Sequence, residues 1–190
     1  RSNTTASNNT AVGYQAGYSN VTGANKTAVG YQALYNHTAN WDTAVGYQAL
    51  KSLVGGSGNT AVGYQALTAD TGDNNTAVGM LSLGSNTSGA SNTALGYYAL
   101  QANTTASANT AVGYQASYTG TVALYNTALG YQASYSNLNG AGNVAVGNSS
   151  LYGNTGSYNV GVGYQSLTAA GSGTYNTALG SFALYSNTTA

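Results

Sequence analysis

The chain has no cysteine and no proline, and it carries almost no charge. Without cysteine there is no disulfide framework and no thiolate metal site. Three basic and three acidic residues cancel, and charged residues make up 3% of the 190, against about 25% in ordinary globular proteins. A neutral chain has no electrostatic reason to bind DNA, RNA or an anionic membrane. No apolar run approaches the roughly 18 residues needed to span a bilayer, so membrane insertion is not expected. The printed sequence starts at Arg1 rather than Met and shows no signal peptide, which predicts a processed chain or a window of a longer one. Solubility must come from Asn, Thr, Ser, Gln and Tyr, or from something attached to them.

Few charges and low complexity usually mean disorder, but 42% of this chain is hydrophobic and its bias is periodic. With the glycine of each Ala-Val-Gly or Ala-Leu-Gly as origin, the origins are Gly13, Gly30, Gly46, Gly63, Gly79, Gly96, Gly113, Gly130, Gly147, Gly163 and Gly180. Glycine 161 replaces the alanine in one copy, and the spacing is 16 or 17 residues throughout. Four residues before the origin stands Asn in nine of the eleven copies, the exceptions being Lys26 and Asp42. Three before it stands Thr in nine, replaced by Val144 and Val160. One before it stands Val or Leu. Three after it stands Ala or Ser, and four after it Leu in eight copies.

This period is too short for a helical-hairpin repeat, which needs roughly 33 residues or more. The T-A-V segment favours a strand, and the Asn-, Gly- and Ser-rich stretches between motifs favour turns. The expectation is an all-β chain: one domain over residues 1–190, a parallel β-solenoid (β-roll) of eleven coils of 16–17 residues, each with two short strands and two turns. At a strand spacing near 4.8 Å the rod would be about 50 Å long. Strand alternation pairs Thr10 with Val12 on one face, and the hydrophobicity of Val assigns that face to the core. Val144 and Val160 support the assignment, because Val nearly matches Thr in shape. Leu34, Leu50 and their equivalents fill the core from the second strand. The Gln15, Gln32, Gln48 and Gln65 column then requires either a bulged second strand or an internal amide ladder. The Ala columns line either a thin core or a subunit contact. Tyr14, Tyr31, Tyr47 and Tyr64 should stack.

The repeats N-T-A-V-G-Y-Q-A-L, as at Asn59 to Leu67, resemble the YadA-like head repeats of trimeric autotransporter adhesins, with an N-S-x-A-I-G type motif, and similar repeats of phage tail-fibre proteins. The resemblance spans Asn9 to Leu184. It implies a left-handed parallel β-roll, and trimerisation by analogy. The family repeat is nearer fourteen residues, and the extra residues here fall in the turn, from about Tyr18 to Ala24 in the first coil.

Chemistry is scarce. The titratable inventory beyond tyrosine is His37, Asp42, Asp70, Asp73, Arg1, Lys26 and Lys51. One histidine and no cysteine exclude most metal sites. Asp70 and Asp73 share a turn with Asn74, which reads as a solvated polar turn, since a calcium site wants more carboxylates. His37 reads as an exposed turn residue. Lys26 and Asp42 occupy one column of adjacent coils and predict a cross-coil ion pair. No catalytic, cofactor or metal residues are expected, and no enzyme activity. Threonine columns raise an ice-binding alternative, set aside because the Thr column shares its face with Val. N-x-S/T acceptors stand at Asn3, Asn8, Asn20, Asn25, Asn36, Asn74, Asn86, Asn103, Asn148 and Asn187, nine of the ten in the variable turn expected at the surface.

These features predict a glycosylated structural subunit of an extracellular filament or fibre, with itself as partner. The alternative is a trimeric surface adhesin or viral tail-fibre segment that binds a receptor; either sits outside the cell or on a cell or virion surface. S-N-T-T-A occurs at Ser2–Ala6 and again at Ser186–Ala190, 184 residues on, the offset that one further 17-residue coil would require. The ends are therefore in phase, and uncapped solenoid ends recruit further strands. End-to-end stacking into a homopolymer is expected.

Overall fold

The computed structural model describes residues 6–52, 54–169 and 171–187. Each repeat contributes one three-residue strand: β1 (Thr10–Val12), β2 (Thr27–Val29), β3 (Thr43–Val45), β4 (Thr60–Val62), β5 (Thr76–Val78), β6 (Thr93–Leu95), β7 (Thr110–Val112), β8 (Thr127–Leu129), β9 (Val144–Val146), β10 (Val160–Val162) and β11 (Thr177–Leu179). The strands form one parallel sheet in sequence order, β1 to β11. Register is strict: Thr43 lies over Thr60, Ala44 over Ala61 and Val45 over Val62, and the same columns run the length of the sheet. The chain is an all-β parallel solenoid, as the periodicity predicts.

The inward face is the opposite of the one expected. In β2 to β5 the central alanine is buried while Thr and Val on either side are half-buried on the outer face. Alternation settles that Thr and Val share a face, but not which face is inside. The lumen decides. Ala44, Ala49 and Leu50 are completely buried, as are Ala61, Ala66 and Leu67. Two alanines and one leucine per coil fill the interior and leave no room for a valine from the strand. The Ala columns are therefore the lining of a thin core.

Among the described residues the expected second strand of each coil is absent. After the origin glycine the backbone turns through left-handed residues: Gln32 at φ 52° and Leu34 at 49°, Gln48 at 55° and Leu50 at 48°. An L-residue in this region costs roughly 1–2 kcal/mol. Such strain persists where the surroundings over-determine the backbone. Here they do: Gln48 N–H donates to Tyr31 O of the coil before at 2.8 Å, and Leu50 N–H to Ala66 O of the coil after at 3.1 Å. The two left-handed residues break simple alternation, so Ala and Leu both point in while Gln points out. The origin glycine has its own reason: Gly63 sits at φ 142°, and a Cβ there would lie 2.5 Å from Gly79 O of the next coil.

Candidate interaction surface and the buried polar seam

Four ladders run along the outside. The Thr and Val/Leu columns make one face, with Leu95, Val112 and Leu129 each more than a third exposed. Beside it Tyr14, Tyr31, Tyr47 and Tyr64 stack at ring-centre distances of 5.4, 5.1 and 5.2 Å, nearly parallel. The row breaks at Met80 and resumes through Tyr97, Tyr114 and Tyr131. The glutamines form the amide ladder, but half-exposed rather than internal: Gln32 Nε2 donates to Gln15 Oε1 at 2.9 Å, Gln48 to Gln32 at 3.1 Å and Gln65 to Gln48 at 3.0 Å. A second tyrosine row, Tyr118–Tyr135–Tyr152, flanks it.

Inside, opposite the leucines, lies a polar seam. The Asn column four residues before the glycine is buried, and each Oδ1 accepts the backbone N–H of the equivalent residue one coil on: Asn75 N–H to Asn59 Oδ1, then Asn92 N–H to Asn75 Oδ1, at 2.8 and 2.9 Å. Most Nδ2 groups donate to a turn carbonyl, as Asn59 does to Gly72 O and Asn75 to Gly89 O. A second inward column stands seven residues after the glycine. Its Asn side chains clip their own turn: Asn86 Nδ2 to Gly89 O and Asn103 Nδ2 to Ala106 O, at 2.8 and 3.1 Å. Asn103 Nδ2 also donates to Asn86 Oδ1. Gly120 interrupts this column, and Asn103 Oδ1 is left buried without a partner.

The charged residues are exceptions within these same columns, and the seam buries them. Lys26 replaces Asn, and its Nζ donates to Asn20 Oδ1 at 2.9 Å and to His37 O at 3.0 Å. Asp42 replaces the next Asn; its Oδ2 meets His37 Nε2 at 2.5 Å and its Oδ1 accepts Asn59 N–H. The expected Lys26–Asp42 ion pair is absent among the described residues: Asp42 is paired with the His37 ring instead. Burial holds the Lys26 amine down at about 8, against the pull of Asp42. His37 and Asp70, expected at the surface, are buried as well. Asp70 accepts Gly72 N–H, Asn75 Nδ2 and Asn86 Nδ2, and burial nevertheless pushes its carboxyl up to about 6. The sequence carried a signal for this seam: polar residues in columns that keep strict phase with buried Ala and Leu.

The acceptor asparagines divide. Asn20, Asn86 and Asn103 are buried, and the Nδ2 that a sugar would need is spent on their own turns. The surface expectation fails for these three because position seven after the glycine faces the lumen. Asn36, one position earlier, is exposed. Asn8, Asn25 and Asn74 are exposed too, in a left-handed column at φ 57–59°. Asn148 is exposed and Asn187 half-buried. Asn3 lies outside the described residues, as does most of the duplicated S-N-T-T-A. Among the described residues no cluster of His, Asp or Glu could hold a metal, and no helix is long and apolar enough to cross a membrane. No protein-family model, no curated protein and no solved structure matches the chain significantly.

Proposed function

We propose that this chain is a structural subunit of an extracellular filament, growing by coil-on-coil stacking and carrying sugar on its exposed turns. The observation that carries the reading is that every ladder runs along one axis. Strand, turn, Asn, Gln and Tyr rows all repeat with the coil, and each coil is the template for the next. Each coil presents the same parallel register to the next, as β3 does to β4, and a parallel edge accepts strands of matching register. A heterologous contact with little net rotation does not close, so it propagates as a fibre. Electron microscopy of native material tests this: long unbranched rods are expected, and globular monomeric particles would refute it. A denaturing gel separates the two routes to a rod. A band near the 19.0 kDa of this chain means stacked subunits, and a much larger one means a single long chain.

A second reading, a trimeric adhesin or tail-fibre segment, is favoured by the outer Thr/Val face, an uncharged band suited to lateral packing of parallel copies. Discrete trimers with a specific ligand would select it. The outward Thr column also removes the ground on which ice binding was set aside. A thermal-hysteresis measurement on Thr60→Tyr against the unaltered chain decides that reading, because Thr60 now lies on the outer face.

A further inference from the structure

Lys26 is an amine placed where nine other coils have an amide. It is 4% exposed. Among the described residues no carboxylate stands within ion-pair distance of it, since Asp42 is engaged with His37 and Asn59. Its two partners are carbonyl oxygens, Asn20 Oδ1 and His37 O. A buried ammonium so placed is costly, and losing its charge relieves the cost.

The amide it touches is held rigidly. Gly23 N–H donates to Asn20 Oδ1 at 3.0 Å, and Asn20 Nδ2 donates to Gly23 O at 2.8 Å. The Asn20 carbonyl is thus polarised by two donors, and its rotation is locked. Gly23 permits the approach: a Cβ there would lie 2.3 Å from Lys26 Nζ and 2.2 Å from Ala39 O.

We propose that Lys26 and Asn20 react with each other to form an intramolecular isopeptide bond. The neutral Nζ attacks Asn20 Cγ. The Nζ–Cγ bond forms, the Cγ–Nδ2 bond breaks, and ammonia leaves. Of the two hydrogens on the neutral amine, one stays on the new amide nitrogen and the other departs with Nδ2. When the amine starts as ammonium, its extra proton leaves first, to water. Nothing is oxidised or reduced. Gly23 N–H stays on Oδ1 as negative charge develops there. The preset contact removes most of the entropic cost of bringing the groups together. Desolvation makes the amine a nucleophile near neutral pH, as in other buried lysines, and here burial brings it to about 8. Asn20 is followed by exposed Val21 and Thr22, which leave the ammonia a short path to solvent. The bond would staple the turn of the first coil, and it would consume the nitrogen that a glycan at Asn20 requires.

Trypsin reads this directly, because the chain has three cleavage sites, after Arg1, Lys26 and Lys51. The full chain is incubated folded above the Lys26 pKa of about 8, then denatured, digested and weighed. Cleavage after Lys51 should proceed while cleavage after Lys26 fails. The fragment from Ser2 to Lys51 should be lighter by one ammonia, with fragmentation placing the link between Lys26 and Asn20. Asn20→Ala should restore cleavage at Lys26 and the full mass. Release of separate Ser2–Lys26 and Thr27–Lys51 peptides would overturn the proposal. So would ammonia loss from a chain still cut at Lys26, which marks cyclisation of an asparagine. An uncut fragment of added mass, meaning another modification of Lys26, would overturn it equally.

Discussion

Single residues in this chain are chosen by the columns around them. Gly161 stands where every other coil has alanine, and its neighbours give the reason. Ser150 and Ser166 replace Ala in the facing column, Ser150 Oγ donates to Gly161 O at 2.8 Å, and a Cβ on residue 161 would lie 2.7 Å from Ser150 Oγ. Gly161→Ala should therefore lower stability by about 1–2 kcal/mol, an overpacking cost, although it restores the consensus. The triple change Gly161→Ala, Ser150→Ala, Ser166→Ala should recover it; additive losses in thermal melts would show that the columns are not coupled. Asp70 shows the same dependence in its ionisation. Its carboxyl is raised from 3.8 to about 6 in the folded chain. Well below 3.8 both folded and unfolded chains are protonated. As pH rises towards 6 the unfolded chain releases its proton first. Asp70's contribution is thus fully present at acid pH and falls away by pH 6, by on the order of 2–3 kcal/mol. Asp70→Asn, the residue of Asn86 and Asn103 in that column, should lose this component. Denaturant titrations at pH 4 and pH 7 check it, and identical pH dependence in both proteins would refute it.

At the scale of the element, the three-residue strand and its left-handed turn divide the work. The strand supplies one inward alanine and two outward side chains. The turn supplies an inward Ala–Leu pair and the outward Gln. Neighbouring positions should therefore respond very differently to charge. Ala111 is 0% exposed and Val112 38%. Ala111→Asp buries an unpaired carboxylate and should cost several kcal/mol, melting its coil and its neighbours. Val112→Asp leaves the carboxylate on the wet face and should cost only about 1 kcal/mol, the loss of a good strand former. Circular-dichroism melts of the two variants decide between this assignment and the reverse, in which Val112→Asp unfolds the chain. The strand itself was legible in T-A-V, but its inward face was not, because a period of two gives parity without sign. The missing second strand was illegible for another reason. Gln32 and Leu34 adopt φ values that their side chains disfavour, and only hydrogen bonds to the coils above and below hold them there.

At the scale of the whole molecule, a neutral rod has a lumen closed to outside reagents and a surface open to them. Attached sugar should follow that division. In native material from a source that glycosylates N-x-S/T, peptide mapping should find occupancy among Asn8, Asn25, Asn36, Asn74 and Asn148. It should find none on Asn20, Asn86 or Asn103, whose Nδ2 atoms are buried. Sugar on any of the last three would mean that their turns open before modification. An intact mass equal to the bare sequence would refute the sugar coat and leave the Gln, Tyr and Thr ladders to keep the rod in solution.

The solenoid, the coil length, the parallel register and the Tyr stack are all readable from the order of the residues alone. These follow from identity at a fixed interval: 16 or 17 residues that repeat their columns can stack only in phase. The Asn column and its exceptions Lys26 and Asp42 were legible too, but not that they join a buried seam, and the column of Asn20, His37, Asp70, Asn86 and Asn103 read as surface. The tertiary structure alone decided what is inside. Two alanines and a leucine close the lumen by volume, so Thr and Val turn outward, and His37, Asp42 and Asp70 turn inward to where Asn side chains hydrogen-bond. Periodicity measures distance along the chain, whereas burial depends on how much volume one closed coil encloses.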